Sequence, residues 1–168
     1  EVNGTSGISC TLCYVVRGPA VNLHRHRIGI VVDTSSFDRS AVGSISGRIF
    51  LRGPTGDFPE NGWSDFPVVI LEWWITGLMD PTAGKEQSFQ GMFMDGPHAF
   101  VVQRGAGATG RIAWGTRGAE VAIGIIDIPS FLRSAVAAGR AVAEECRARQ
   151  WNCRDLEKLE RSIVRSAV

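Results

Sequence analysis

The stretch WSDFPVVILEWWITGLMD, residues 63–80, decides how the rest of the chain can fold. Pro67 would remove a ladder hydrogen bond from the middle of a strand, but its missing N–H costs nothing in the first turn of a helix. The stretch therefore predicts a helix from about Phe66 to Met79, with Ser64 or Asp65 as its N-cap. Apolar side chains surround this helix on almost every side, which is typical of a helix enclosed in a core.

Glu72 is the one charged residue within the predicted helix. Carboxylates inside proteins are usually paired, so we interpret Glu72 as the partner of an arginine from the sheet or from the last helices. The alternative is an unpaired carboxylate that acts as a general acid, with His98 as a second catalytic group of a small hydrolase-like enzyme. That alternative requires both side chains to line one cleft, which the sequence does not show.

The residues before this helix are strand-like and are interrupted by loops. Alternating or β-branched runs bounded by turn formers predict strands at Ser9–Val16, Arg27–Asp33 and Ser46–Gly53. Residues 33–44 and 53–62 are rich in Ser, Gly, Pro, Asp and Asn, which favours loops.

After the helix the pattern is that of an antiparallel meander. Short turn-forming connections separate four further strand-like runs: Ser88–Gly96, Pro97–Gly105, Arg111–Gly115 and Ala119–Ile128. The connection GAGATG, residues 105–110, matches the glycine spacing of a dinucleotide-binding loop. A strand rather than a helix follows it, so the motif predicts a hairpin turn.

Two helices close the sequence. Apolar residues recur every three or four positions in residues 129–151, and a second helix, capped by Asn152, carries a narrow stripe of Leu156, Leu159 and Ile163. Strands, one buried helix, more strands and a helix pair predict an α+β fold. In this fold an antiparallel β-sheet meander holds one buried central helix, with the C-terminal pair on one face.

The composition is that of a single globular domain. At 168 residues, with 44% apolar and 21% charged residues, the chain can form a core without metal or disulfide support. We divide the domain into N-terminal strands (1–53), the central helix and β-meander (54–128) and the C-terminal helices (129–168). No apolar run is long enough to cross a membrane and no signal peptide is visible, so we expect a cytoplasmic protein without membrane contact.

Charge is distributed unevenly although the net charge is only +1. Residues 57–95 contain seven acidic residues and one lysine, whereas residues 101–168 contain eleven Lys and Arg and seven Asp and Glu. The basic residues alternate with acids along helix faces, which indicates solvation rather than a nucleic-acid site. The acidic centre instead favours a basic protein partner.

The cysteines do not form a recognisable metal or catalytic pattern. Cys10 and Cys13 lie in a strand-like run and would point in opposite directions, and Cys146 and Cys153 lack zinc-knuckle spacing. We interpret all four as free thiols, with a metal site and a disulfide or redox role as alternatives. No nucleophile elbow or zinc-protease motif is present, so the sequence predicts no catalytic residue, no metal and no cofactor.

Three segments carry a resemblance to other proteins. They are WSDFPVVILEWW (63–74), the strand end FMDGP (93–97) and the closing helical region FLRSAVAAGRAVAEECRARQWNCRDLEKLE (131–160). Together they resemble a group of small uncharacterised bacterial proteins, and the resemblance covers residues 63–165. Small α+β proteins of this kind often look like immunity proteins, which block a cognate toxin, and this likeness is an analogy of genre rather than a match of functional residues.

These observations predict a binding surface rather than an active site. We expect the partner to be a cognate protein, such as a toxin domain with a basic surface, steered by acidic residues and held by an aromatic anchor. The expected contacts lie in the acidic loop and in the following hairpin: Asp57, Glu60, Trp63, Asp65, Asp95 and His98. The alternatives are a merely solvated acidic loop in a structural or interaction domain, and the small enzyme described above.

Overall fold

The computed structural model describes residues 28–80 and 88–166. Eight strands and three helices within these residues form an α+β fold, which confirms the predicted fold class. The strands are divided between two antiparallel sheets of four strands each rather than joined in one meander. The predicted strand Ser9–Val16 lies outside the described residues.

The first sheet contains β1 (Gly29–Arg39), β2 (Ile45–Gly53), β3 (Gly56–Phe58) and β4 (Ser64–Asp65). β2 is its central strand, because β1 pairs with one edge of β2 while β3 and β4 pair with the other. The prediction of a strand over Ser46–Gly53 is therefore confirmed. The predicted loop that follows it contains the short strand β3.

The prediction of a loop over residues 33–44 is wrong for its first half. β1 continues past Asp33 through a bulge, where its register against β2 shifts. The guanidinium of Arg149 donates hydrogen bonds to the carbonyl oxygens of Phe37 (2.8 Å) and Thr34 (3.2 Å) in this region. A distant arginine therefore satisfies backbone acceptors that local sequence would have left to water.

The central helix α1 (Pro67–Met79) follows the first sheet directly and is confirmed with Pro67 in its first turn. Its N-cap is Phe66, so the prediction that Ser64 or Asp65 caps it is wrong. The reason is that these two residues form β4 and pair with β2, which holds their backbone in strand geometry.

Most of the surface of α1 is enclosed. Trp74 has no exposed surface, whereas the adjacent Trp73 points outward and is 42% exposed. At the C-terminal end, Arg104 Nη2 donates to the carbonyl oxygens of Leu78 (2.7 Å) and Asp80 (3.1 Å). Arg104 thus satisfies carbonyl groups that have no partner within the helix.

The second sheet is the predicted meander. It contains β5 (Ser88–Met92), β6 (His98–Arg104), β7 (Thr109–Thr116) and β8 (Ala119–Asp127), and each strand pairs with the next along the chain. The glycine-rich segment at residues 105–110 connects β6 to β7 as a hairpin turn, as predicted.

The two predicted C-terminal helices are α2 (Ile128–Ala148) and α3 (Arg154–Arg165). The prediction that Asn152 caps α3 is wrong, because Cys153 is its N-cap and the Asn152 Oδ1 atom accepts a hydrogen bond from Arg147 instead. The predicted apolar stripe of α3 is buried, and α3 packs against both α1 and α2.

An aromatic cluster around Phe100 joins the second sheet to the helices. The ring of Phe100 lies edge-on to Trp74 at 5.0 Å, to Phe89 at 5.8 Å and to Phe131 at 5.8 Å between centroids. Phe100 is fully buried, and this cluster belongs to a larger buried core that includes residues from both sheets and all three helices. Edge-to-face aromatic pairs add about 0.5–1.5 kcal/mol each beyond the burial of their surface.

The close approach of Gly91 to Phe100 gives a test of this packing. A Cβ atom at Gly91 would overlap the Phe100 ring, which is enclosed by other rings and has no room to move. We therefore expect Gly91→Ala to lower the free energy of unfolding by about 1–3 kcal/mol, measured by urea denaturation. Gly29→Ala is the matched control, because a Cβ atom there meets nothing within 4 Å. Equal stability of the two variants would contradict the packing described.

Candidate binding surface

Asp65 is the one buried carboxylate among the described residues, with 2% of its surface exposed. Its Oδ2 atom accepts backbone hydrogen bonds from Met94 (2.9 Å) and Asp95 (3.3 Å), and its Oδ1 atom accepts one from Phe66 (2.7 Å). The indole N–H of Trp63 lies 3.4 Å from Oδ2. A single side chain therefore joins the WSDF and FMDGP segments, which are about thirty residues apart in sequence.

The turn between β5 and β6 has a defined shape. The Phe93 N–H donates to the His98 carbonyl oxygen at 3.1 Å, and the Arg117 N–H donates to that of Pro97 at 2.8 Å. Gly96 has a φ of +81°, a conformation that residues with a Cβ atom rarely adopt. Gly96 permits this shape of the turn, and the backbone hydrogen bonds together with those to Asp65 hold it.

His98 is held by aromatic rings. Its imidazole lies edge-on to Trp63 at 4.9 Å and to Phe58 at 5.8 Å between centroids, and Phe58 stacks on Trp114 at 5.5 Å. Within the described part of the chain, no carboxylate forms a hydrogen bond with the His98 side chain. The surroundings of His98 are therefore those of a packing residue.

The six predicted contact residues lie close in the fold but differ in availability. Asp57 forms two hydrogen bonds with Arg52, at 3.0 and 3.1 Å, and this guanidinium lowers the pKa of the Asp57 carboxyl. Asp65 faces inward because it must accept the N–H groups of the turn, so the prediction that it contacts a partner needs correction. Glu60 and Asp95 are exposed, and neither forms an ion pair with another described residue.

We define the acidic surface as Glu60, Trp63, Asp95 and His98. Trp63 and His98 contact each other, and Gly96, the residue after Asp95, lies against the Trp63 ring. Trp63 is half-buried and packs against the core, so it supports this surface more than it projects from it. Two unpaired carboxylates are thus presented beside a fixed aromatic pair.

A groove beside the acidic surface was not predicted. It has a volume of about 530 Å³ and is lined by the turn at residues 40–44, the first turn of α1, Met94 and the start of α3. Val42 and Met94 are exposed side chains in its lining, to which Ile45 and Val69 also contribute. The alternation in SFQGMFMDG, with Phe89, Gly91 and Phe93 on one side, would have indicated that Met94 points outward. We call this cleft the Val42–Met94 groove.

Glu72 does not pair with an arginine among the described residues, so our interpretation of it was wrong. Its Oε1 atom accepts hydrogen bonds from the hydroxyl groups of Thr76 (3.1 Å) and Ser162 (3.3 Å). Ser162 is fully buried, and Arg165 approaches its hydroxyl at 3.4 Å. Glu72 therefore links α1 to α3 through the hydroxyl group of Ser162, on the face of α1 that packs against α3.

Glu72 and His98 contact different parts of the fold. Glu72 meets α3 whereas His98 meets Trp63 and Phe58, and no hydrogen bond joins the two side chains. Nucleophile, base and orienting group within hydrogen-bond reach of one another are the geometric sign of an active site. The structure does not bring the two residues of the alternative enzyme hypothesis together.

Two of the four cysteines can be placed. Cys146 is buried and Cys153 is half-buried at the start of α3, and both are free thiols. Burial raises the pKa of the Cys146 thiol to about 11, with the nearby Cys153 and Glu145 as further causes. Cys10 and Cys13 lie outside the described residues.

Groups of metal-ligating side chains and membrane-spanning helices are both absent from the described residues, 28–80 and 88–166. No group of three or more His, Cys, Asp or Glu side chains in these residues could hold a metal ion. None of the helices described there is both long and apolar enough to cross a membrane.

The role of Asp65 can be tested by removing its carboxylate. Asp65→Ala leaves the Met94 and Asp95 N–H groups without their acceptor, so we expect it to lower the free energy of unfolding by about 2–3 kcal/mol. Amide hydrogen exchange at Met94 and Asp95 should accelerate in the same variant. Asp38→Ala, which removes an exposed carboxylate, should change stability by less than about 0.5 kcal/mol. Unchanged exchange at the two amides would contradict the role assigned to Asp65.

The raised pKa of Cys146 predicts low reactivity. At pH 8 a thiol with a pKa of about 11 is ionised in only about one molecule in a thousand, so iodoacetamide should label Cys153 well before Cys146 in the folded protein. Peptide mass spectrometry measures the two rates, and labelling of Cys146 should rise when urea unfolds the chain. Equally fast labelling in the folded protein would show that Cys146 is not enclosed.

No family model matches the chain, and neither a curated protein nor a solved structure matches it. A functional proposal therefore rests on the geometry and charge of the acidic surface and the groove.

Proposed function

We propose that the chain is a non-enzymatic protein-binding module, a bacterial, cytoplasmic immunity or inhibitor protein that neutralises a cognate toxin. The acidic surface is its binding site, and the partner presents a basic surface. The observation that carries this proposal is the junction made by Asp65, which fixes the turn bearing Asp95 against the segment bearing Trp63.

The pairing pattern of charges supports a basic partner. Six of the twelve charged side chains of α2 and α3 form ion pairs with described residues, such as Arg147 with Glu160 at 2.6 Å and Lys158 with Asp155 at 2.8 Å. Glu60 and Asp95, in contrast, have no ion-pair partner in the described part of the chain. Their negative potential is therefore available to steer a cation-bearing surface, which accelerates and orients association.

Rigidity of the acidic surface supports binding rather than simple solvation. The turn that carries Asp95 is held by backbone hydrogen bonds at Phe93 and Pro97 and by the carboxylate of Asp65. A surface already ordered in the free protein loses less conformational entropy when it binds. The alternative enzyme that uses Glu72 and His98 has no comparable observation in its favour.

Neutralising the two free carboxylates tests this proposal. The double variant Glu60→Gln and Asp95→Asn keeps side-chain size and the backbone N–H of Asp95 but removes both charges. We expect its association with the partner to be at least about tenfold slower at low salt, with a weaker dependence on ionic strength. The partner is first isolated with the wild-type chain as bait, and surface plasmon resonance then measures the rates.

The control is Glu144→Gln, which removes an exposed charge from α2 and should leave the rates unchanged. If the double variant associates as quickly as the wild type, the acidic surface is not the binding site. The immunity role requires in addition that the isolated partner arrests bacterial growth when expressed alone, and that the chain restores growth when expressed with it. A harmless partner would contradict that role.

A further inference from the structure

Exposed apolar side chains concentrate at the Val42–Met94 groove. Five large apolar side chains are exposed among the described residues, and two of them, Val42 (89%) and Met94 (46%), line this groove. A third, Trp73 (42%), lies one helical turn beyond the groove residue Val69, on the same side of α1. Contiguous exposed apolar surface rimmed by polar groups is typical of an interaction site.

Both walls of the groove are held in place. In the turn that carries Val42, the Ser40 N–H donates to the Ser44 carbonyl oxygen at 2.9 Å and the Ser44 N–H donates to the Ser40 hydroxyl at 3.1 Å. On the other side the backbone N–H of Met94 is bound by Asp65 at 2.9 Å. The exposure of both side chains is therefore a property of ordered turns.

The charges at the rim indicate the chemistry of the occupant. Asp95 follows Met94 directly and belongs to the acidic surface, where it has no ion-pair partner among the described residues. In the groove lining itself, Arg39 has no ion pair with another described residue and donates to the Asn152 carbonyl oxygen at 3.4 Å, and Asp155 is paired with Lys158. An occupant that enters beside Met94 therefore meets apolar side chains within a mixed lining, with the negative charge of Asp95 beside Met94 and the positive charge of Arg39 beside the turn that carries Val42.

We propose that the Val42–Met94 groove receives an apolar side chain, aromatic or leucine-like, that stands beside lysine or arginine residues on the partner protein. This inference rests on the proposed function and adds the anchor that the acidic surface lacks. The carboxylates orient the basic partner, and the buried anchor then slows its dissociation. Trp63, which the sequence indicated as the anchor, is instead a supporting residue of the acidic surface.

Two synthetic peptides serve as probes for the groove. One carries three lysines, a phenylalanine and three lysines, and its twin has alanine in place of phenylalanine. Each is titrated into the full-length ¹⁵N-labelled chain while the backbone amide shifts are followed by NMR. We expect both peptides to shift the amides of Glu60 and Asp95, and only the phenylalanine peptide to shift those of Val42 and Val69. That peptide should also bind roughly fivefold to tenfold more tightly.

Variants separate the groove from the acidic surface. Met94→Ala retains the backbone N–H that Asp65 accepts and should abolish the advantage of the phenylalanine peptide. Val121→Ala, which shortens an exposed apolar side chain on β8, should preserve it. Equal affinity of the two peptides for the wild type, with shifts confined to Glu60 and Asp95, would contradict the proposal that the groove binds an apolar side chain. The proposal that the acidic surface binds the partner would then still stand. Shifts at the groove alone would contradict the acidic surface instead, and no binding by either peptide would contradict both.

Discussion

The carboxylate of Asp65 is the constraint on which the arrangement of this molecule depends. A buried carboxylate is stable only when donors surround it, and Asp65 accepts from the backbone of Phe66, Met94 and Asp95. The first of these donors stands at the start of α1 and the other two stand in the turn after β5. Because one side chain must satisfy all of them, the central helix and the second sheet have a fixed separation at this end of the fold.

The helix α1 connects the site of Asp65 to the rest of the core. The helix packs against both sheets and both C-terminal helices, and Trp74 on its inner side donates its indole N–H to the Met92 carbonyl oxygen at 3.1 Å. Trp74 also contacts the rings of Phe93 and Phe100. Trp74 therefore contacts the residues just before the turn, Met92 and Phe93, while Asp65 binds the N–H groups of Met94 and Asp95. With the turn held at both places, Met94 and Asp95 lie at the surface.

Some of the acidic residues between positions 57 and 95 bind groups of the same chain, so fewer negative charges are available to a partner than the sequence suggests. The acidic stretch of the sequence looks like a uniform negative region, but in the fold Asp57 is paired with Arg52 and Asp65 is bound by backbone N–H groups. Glu60 and Asp95 remain without an ion pair among residues 28–80 and 88–166, and Asp95 adjoins the Val42–Met94 groove. A small number of unpaired charges next to exposed apolar side chains suits specific recognition better than a broad charged loop does, because burial supplies affinity while charge supplies orientation.

The sequence by itself determined the α+β class and most helices and strands of the described residues, because hydrophobic periodicity and turn residues act locally. It predicted α1 from the position of Pro67, β2 and the β5–β8 meander from alternation, and α2 and α3 from their apolar spacing. It also indicated the loop and hairpin that carry the acidic surface. Only the tertiary structure decided which acid is buried, that Glu72 meets hydroxyl groups, that Arg149 supports the β1 bulge, and that Val42 and Met94 line one groove. The physical reason is that these features join residues far apart in sequence, so the identity of each partner depends on packing rather than on local pattern.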